Sequence, residues 1–380
     1  MNELITENKP LQTIINSSLS IELKDIATKV FNNERVSFSE AVLLYQKAEL
    51  GYLGILANHI RFKKNKNYVY FNHNFHVEPT NVCVYSCSFC SYSRLIKNRE
   101  QGWELSVNDI LNIIKKYDEQ AVTEVHITGG VVPKQDLFFY KELFEKIKQH
   151  RPNLHIKALT PVEFHYIFKK AKVTYEEGLQ ILHQAGLGSL PGGGAEIFDK
   201  EIRDQIAGGK CTSEEWLSIH KIWHNMGLQS NATMLYGHIE TFEHRVDHMD
   251  KLRKLQDETK GFNAFIPLKF RNKDNQMAHV PEVSVIEDLR NYAIARIYLD
   301  NFNHIKAYWA MIGRKTAQLS LNFGADDLDG TIDDTTKIYS MAGSEEQNPK
   351  LTTQQLVDLI KAVGKNPVER DTLYNIVKEY

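Results

Sequence analysis

The sequence lacks a surplus of charge of either sign. Lys and Arg number 46 against 48 Asp and Glu, a formal net charge of −2. No net positive field is present to draw the chain to a phosphate backbone, so no nucleic-acid partner is expected. Long hydrophobic runs are missing as well. No apolar stretch reaches the roughly 18 residues of a membrane span, so no membrane partner is expected. The opening residues, MNELITENKPLQ, have neither a basic n-region nor an apolar h-region, so no secretory signal is expected. Cysteine is scarce, with four residues, Cys83, Cys87, Cys90 and Cys211, in a chain of 380. Cys83, Cys87 and Cys90 are too crowded for a useful disulfide framework. The alternative is a metal-bound or catalytic thiolate centre, in a cytoplasmic protein.

What is present is an ordinary globular composition, 42% hydrophobic and 25% charged, which is enough apolar content to build a core and excludes disorder as the dominant state. Residues 1–18 are polar and expected to be loosely packed. Residues 20–60 read as helices, and RFKKNKN (61–67) reads as a basic surface loop. From Tyr68 onward short strands alternate with amphipathic segments. Strands are expected at 68–78, 123–129, 155–159, 188–192, 229–236, 263–270, 304–309 and 318–324. Thr174 with Glu177, Thr212 with Glu215 and Ser284 with Glu287 have the spacing of capping boxes at helix starts. About eight strand–helix repeats favour a (β/α)8 TIM-type barrel over an open doubly wound sheet. The expected organisation is an N-terminal helical extension (1–67), the barrel (68–330) and a C-terminal helical segment (331–380) packed on it. Gly364 is placed as a helix stop, with Pro367 beyond.

A barrel carries its chemistry at the C-terminal ends of its strands. The unusual segments EPTNVC, HITGG, LPGGGAE, LYGHIE and IPLKF fall there. Cys83-x3-Cys87-x2-Cys90 is the strongest of these signals. Zinc would want four ligands in separated pairs or a nearby histidine. His73 and His76 sit on an alternating strand that does not easily bring them round. Three thiolates on one tight loop suit an iron–sulfur cluster instead, holding three irons of a [4Fe–4S] cluster and leaving the fourth open to a small molecule. A non-catalytic electron carrier or scaffold is the competing reading, but it would prefer four cysteine ligands.

The motif C-x3-C-x-Φ-C, with Phe89 just before Cys90, resembles that of the radical S-adenosylmethionine (SAM) enzymes. The resemblance implies a [4Fe–4S] cluster on Cys83, Cys87 and Cys90 with SAM on the open iron, and reductive cleavage of SAM to a 5′-deoxyadenosyl radical. It implies Phe89 and Tyr92 beside the adenine, Thr128, Gly129 and Gly130 near the methionyl group, and Glu196 near the ribose. Where the family usually has an acidic residue after the glycines, this chain has Val131.

Other strand-end residues are weaker candidates. His238 and Glu240 could orient substrate or move a proton. Arg271 could fork onto a carboxylate, as could Arg245. His304, Lys306 and Tyr308 share one face of a strand, and an inward Lys306 would serve an anionic substrate. Cys211 is expected to be a bystander.

The resemblance extends through LPGGGAEIFDKEIR, the segments from SNATMLYGHIET to NAFIPLKF, and FGADDLDGTIDDTTKIYSMAG. Together these are similar to the radical SAM group of futalosine-pathway and deazaflavin-cofactor synthases. HIKAYW and DDLDGTI favour the branch of menaquinone biosynthesis that adds the deoxyadenosyl radical to 3-[(1-carboxyvinyl)oxy]benzoate, over the sister branch that cyclises a dehypoxanthine futalosine. The implied partners are that enolpyruvyl benzoate and an electron donor such as flavodoxin or ferredoxin. The N-terminal helices are expected to be able to cap the barrel and keep the pocket dry.

Overall fold

The structure, a computed structural model, describes residues 9–98, 100–333 and 337–380. Residues 1–8 and residues 334–336 of the FGADDLDGTIDDTTKIYSMAG motif fall outside it. Eight parallel strands close a barrel. The first is broken at His73 into Tyr68–Asn72 and Asn74–Val77; the rest are Glu124–Ile127, His155–Ala158, Leu187–Ser189, Ser230–Tyr236, Phe262–Lys269, His304–Ala307 and Asp327–Leu328. The break divides the first strand's partners. Its upper half pairs with the second strand, Asn74 opposite Glu124, and Tyr70 of its lower half pairs with Asp327 of the eighth. The fourth and fifth strands meet through a single bridge between Leu190 and Ser230.

Seven strands lie where their apolar runs and turn residues place them. The eighth does not. QLSLNFG, expected as a strand at 318–324, is mostly the end of helix Arg314–Ser320 and a turn. The eighth strand is Asp327–Leu328, whose carboxylate points into a buried charge layer. In that layer Lys157 pairs with Glu124 at 2.7 Å, Lys306 with Asp329 at 3.2 Å and Arg370 with Asp327 at 2.6 Å, so three cations meet three anions. Matched pairing of this kind is what lets charges sit out of water.

The segments outside the barrel also depart from expectation. RFKKNKN is not a loop: helix Leu50–Asn65 runs through it and buries Arg61 completely. Helix Lys9–Ile15 buries Ile14, giving part of the polar N-terminus a fixed place. The described part of the C-terminal segment is helical over Ile338–Met341 and Thr353–Lys361. After a turn at Gly364 (φ 71°), Asn366–Arg370 adds parallel to the first strand's lower half and Ile376–Glu379 returns antiparallel. Pro367 sits in that added strand. The capping boxes at Thr174 and Thr212 form in full, while Ser284 caps its helix without the return bond because Glu287 pairs with Arg245 instead.

The helical extension packs on the barrel's side, with Phe38–Lys47 and Leu50–Asn65 against Val285–Tyr298. None of its described residues lines the main cavity. The C-terminal region covers the mouth instead. Backbone N–H groups of Lys337 and Ile338 donate to the Glu78 carboxylate (2.9 and 3.2 Å), which seats the short helix Ile338–Met341 over the strand ends.

Candidate active site

A cavity of ≈ 250 Å³ lies at the C-terminal ends of the strands, adjoined by a second of ≈ 150 Å³. Cys83, Cys87 and Cys90 all line the first, and none is in a disulfide. Their loop is stitched to its surroundings by backbone bonds. Gly130 N–H donates to Thr80 O at 2.7 Å, Val84 N–H to Val131 O at 2.8 Å and Ser88 N–H to Ile206 O at 2.9 Å. The Cys83 sulfur accepts from the N–H groups of Tyr85 and Val131, each at 3.4 Å. Burial pushes the Cys87 thiol up to about 11. Among the described residues, no three Cys, His, Asp or Glu side chains converge as ligands of a single ion would. Three thiolates on one loop, each able to hold its own iron, are a donor set that suits a cluster.

Gly130 has a further reason to be glycine. A Cβ there would lie 2.2 Å from Val82 O, so this residue lets the second strand close onto the cysteine loop. Thr128 and Gly129 line the cavity beside it. Phe89 and Tyr92 line both cavities, and Tyr92 is held by a bond to Thr80 O at 2.9 Å.

Glu196 also lines both cavities, from a left-handed backbone conformation (φ 49°). It accepts from Lys210 at 2.7 Å. Burial alone would raise the Glu196 carboxyl, but the Lys210 charge holds it below the usual range. Lys210 in turn lies 5.2 Å above the Phe89 ring. Burial works to discharge Lys210, yet Cys87 and Glu196 hold it above the ordinary lysine value. Arg203 ties this wall together, donating to Gly194 O at 3.0 Å and Cys211 O at 2.8 Å. Cys211 is buried and does not line the main cavity.

The expected substrate residues are dispersed. His238 and Glu240 are outside both cavities. The Glu240 carboxylate accepts from the N–H groups of Gly237 and His238 (2.6 and 2.8 Å) and pairs with Arg245 at 2.7 Å, bracing the turn after the fifth strand. Burial lowers the His238 pKa from its ordinary value, and Nε2 faces Leu235 O at 3.2 Å. Arg245 is consumed by Glu240 and Glu287. Lys306 lies below the cavity in the charge layer, and His304 pairs with Asp326 at 2.6 Å. Of that strand's shared face only Tyr308 reaches the cavity. Arg271 does line the second cavity, donating to Gly343 O at 2.6 Å and lying 3.2 Å from Glu282.

Lys210, Glu163 and Tyr339 line the cavity without having been expected there from the sequence. Tyr308 and Tyr339 face each other with ring centroids 4.7 Å apart at the mouth. A lysine immediately before Cys211 and a glutamate in a T-x-x-E capping box carry no local mark of a site.

Comparison with known proteins agrees with this geometry. Residues 77–252 match the Radical SAM superfamily, and residues 259–379 match the CofH/MqnC C-terminal region. The aminodeoxyfutalosine synthase of Thermus thermophilus is 43% identical over 93% of this chain and 95% of its own. The chain belongs to the radical SAM superfamily. It is thus an enzyme of the family whose members use a [4Fe–4S] cluster and SAM. The aminodeoxyfutalosine synthase of Streptomyces coelicolor is 38% identical, covering 94% of both chains. The cyclic dehypoxanthine futalosine synthase of the same organism is 35% identical over 93% of this chain and 88% of its own. Among solved structures, a methylornithine synthase superposes with TM-score 0.72 at 16% identity, covering 90% of this chain and 97% of its own. The FeFe-hydrogenase maturase HydG from Carboxydothermus hydrogenoformans reaches 0.73 at 16%, covering 98% and 86%. These two support the barrel fold. Among the described residues no helix is long and apolar enough to cross a membrane.

Proposed function

We propose that the chain carries out the aminodeoxyfutalosine synthase reaction. The adenosyl group of SAM is joined to 3-[(1-carboxyvinyl)oxy]benzoate to give 6-amino-6-deoxyfutalosine and bicarbonate in menaquinone biosynthesis, in the cytoplasm. The observation that carries this is the 43% identity to such a synthase over nearly the whole of both chains, against 35% for the cyclising relative.

The site supports it residue by residue. Cys83, Cys87 and Cys90 would hold the cluster, which supplies the electron that cleaves the C5′–S bond of SAM; flavodoxin or ferredoxin is the proposed reductant. Phe89 and Tyr92 offer aromatic faces to the adenine. Glu196, kept ionised by Lys210, has acceptor capacity left for ribose hydroxyls. In the second cavity Leu235, Phe270 and Met311 make an apolar wall for a benzene ring, and Arg271 stands at its edge for the aromatic carboxylate. Tyr308, Ile338 and Tyr339 line the cavity with largely apolar surface, which would help keep water from a radical reaction.

SAM carrying carbon-13 in the adenosyl group, supplied with the enolpyruvyl benzoate and reduced enzyme, tests the reading by mass spectrometry. Label in a product containing the benzoate ring is expected. Label found only in free 5′-deoxyadenosine during turnover would overturn addition and favour hydrogen abstraction, as in the cyclising branch.

A further inference from the structure

We infer that the Lys210 ammonium tunes the iron–sulfur cluster, holding its reduction potential above the value that three thiolates in this pocket would give by themselves. Lys210 is the one Lys or Arg among the described residues that line the main cavity, and it shares that cavity with Cys83, Cys87 and Cys90. The inference rests on the cluster-bearing reading of the site.

The chain holds this side chain against the cysteine loop from two directions. Lys210 follows helix Lys200–Ala207 through a turn at Gly209, whose φ of 85° glycine adopts freely. The same helix is fastened to the loop. Ser88 donates to Ile206 O from its N–H at 2.9 Å and from its hydroxyl at 3.1 Å. At the far end of the side chain, Nζ donates to Glu196 at 2.7 Å. It also lies 5.2 Å from the centre of the Phe89 ring, and Phe89 stands between Cys87 and Cys90 in the loop. The Lys210 side chain is only 12% exposed. An ammonium that buried has given up hydration, which nearby anions must replace.

Glu196 is one such anion and Cys87 is another. Burial drives Lys210 toward its neutral form, and the negative charges of Cys87 and Glu196 together outweigh it. The effect is mutual. Burial raises the Cys87 thiol, and against it the Lys210 charge favours the thiolate more strongly than the Glu196 charge opposes it. Burial raises Cys83 as well, and the Lys210 charge again works the other way. The Lys210–Glu196 pair is therefore not self-cancelling at the loop: its positive end is the one the sulfurs feel. Two nearby arginines do not share this role. Arg203 is taken up by the carbonyls of Gly194, Ala195 and Cys211, and Arg94 by those of Ser91, Tyr92 and Ser93, and neither lines the cavity.

Reduction adds one negative charge to a cluster held out of water. A fixed positive charge beside its sulfurs stabilises the reduced form more than the oxidised one, which raises the potential. The competing account is that Lys210 serves Glu196 alone.

Four proteins separate the two accounts: wild type, Lys210→Arg, Lys210→Met and the double variant Lys210→Met/Glu196→Gln. Each is reconstituted with iron and sulfide, without SAM, and titrated in a mediated redox cell. Electron paramagnetic resonance reads the reduced cluster. At the wild-type midpoint, the ratio of reduced to oxidised cluster in Lys210→Met should fall about tenfold or more, a shift of about 59 mV for one electron. Lys210→Arg keeps the charge and should stay within about twofold of wild type. The double variant leaves neither partner of the pair buried as a lone charge, so it should keep its iron content and melting temperature whether or not the single Met variant folds. Its ratio should still fall, by about threefold or more, because the Lys210 charge outweighs that of Glu196 at the sulfurs. A double variant with the wild-type midpoint would overturn the inference, since Lys210 would then act only by neutralising Glu196. A Lys210→Arg midpoint as low as that of the double variant would overturn it too. A wild-type protein that takes up iron and sulfide yet gives no reduced four-iron signal would overturn the family reading, and this inference with it.

Discussion

Cys83, Cys87, Cys90 and Cys211 are all free thiols, and only their surroundings distinguish them. The first three share a cavity wall, whereas Cys211 is buried behind it, serving Arg203 through its backbone carbonyl. Replacing any one of Cys83, Cys87 or Cys90 with Ala should therefore strip iron from the protein and abolish SAM cleavage. Cys211→Ala should keep both, since the carbonyl that Arg203 uses survives the change. Iron content and the cluster's visible absorbance decide the matter. Iron retained in Cys87→Ala but lost in Cys211→Ala would reverse the assignment. The triad was legible in the sequence because its spacing is local: three thiols within one loop define their own chemistry. Glu163 and Lys210 were not legible, because what each does is set by partners from other strands. Lys210 matters because Glu196 and Phe89 lie across from it, and Glu163 because Thr128, from the end of another strand, donates to it.

At the scale of elements, the same division between local and distant causes explains which segments folded as expected. Strands such as Ser230–Tyr236 are apolar runs bounded by turn residues, and they reveal themselves. Asp327–Leu328 hid because a run rich in aspartate reads as a loop. It becomes a strand only when Lys306, Arg370 and the first strand's edge arrive from far along the chain. Arg370 belongs to the strand Asn366–Arg370, which a proline and two charges also disguised. That strand does more than lengthen a sheet. Its Arg370 neutralises buried Asp327, and nearby Thr372 donates to Glu124 at 2.7 Å, so the C-terminus completes the barrel's charge layer. Arg370→Met should leave buried Asp327 with only Lys306, at 3.9 Å, as a cation and lower stability by about 3 kcal/mol. A urea unfolding curve should show the midpoint falling with little change in slope. An unchanged midpoint would mean that the hairpin is an ornament on a self-sufficient barrel.

For the whole molecule, buried histidines decide how stability depends on pH. Burial lowers His76, His155 and His224 to about 4 and His248 to about 3, from an ordinary 6.5. Each is neutral in the folded chain across a range where the unfolded chain would protonate it. Their contribution is therefore fully present above pH 6.5 and is lost as pH falls toward 4, by about 3 kcal/mol for each. Glu163 acts with the opposite sign. Raised to about 7, it binds its proton more tightly when folded, so it subtracts stability as pH rises from 4.5 through 7. Burial raises Asp288 as well, but it also lowers His73, His126, His220 and His238, and the histidines win. Below this window the ionised Asp329 and Glu240, held under their usual range by Lys306 and by Arg245 against the pull of burial, lose their share too. Since whole domains are stable by only about 5–15 kcal/mol, the melting temperature should fall steeply between pH 6.5 and 4.5, with net proton uptake on unfolding at pH 5.5. Calorimetry in buffers of different ionisation enthalpy measures that uptake directly. A melting temperature flat to pH 4.5 would mean that the barrel opens enough to solvate its histidines before it unfolds, and the dry interior claimed for the radical chemistry would fall with it.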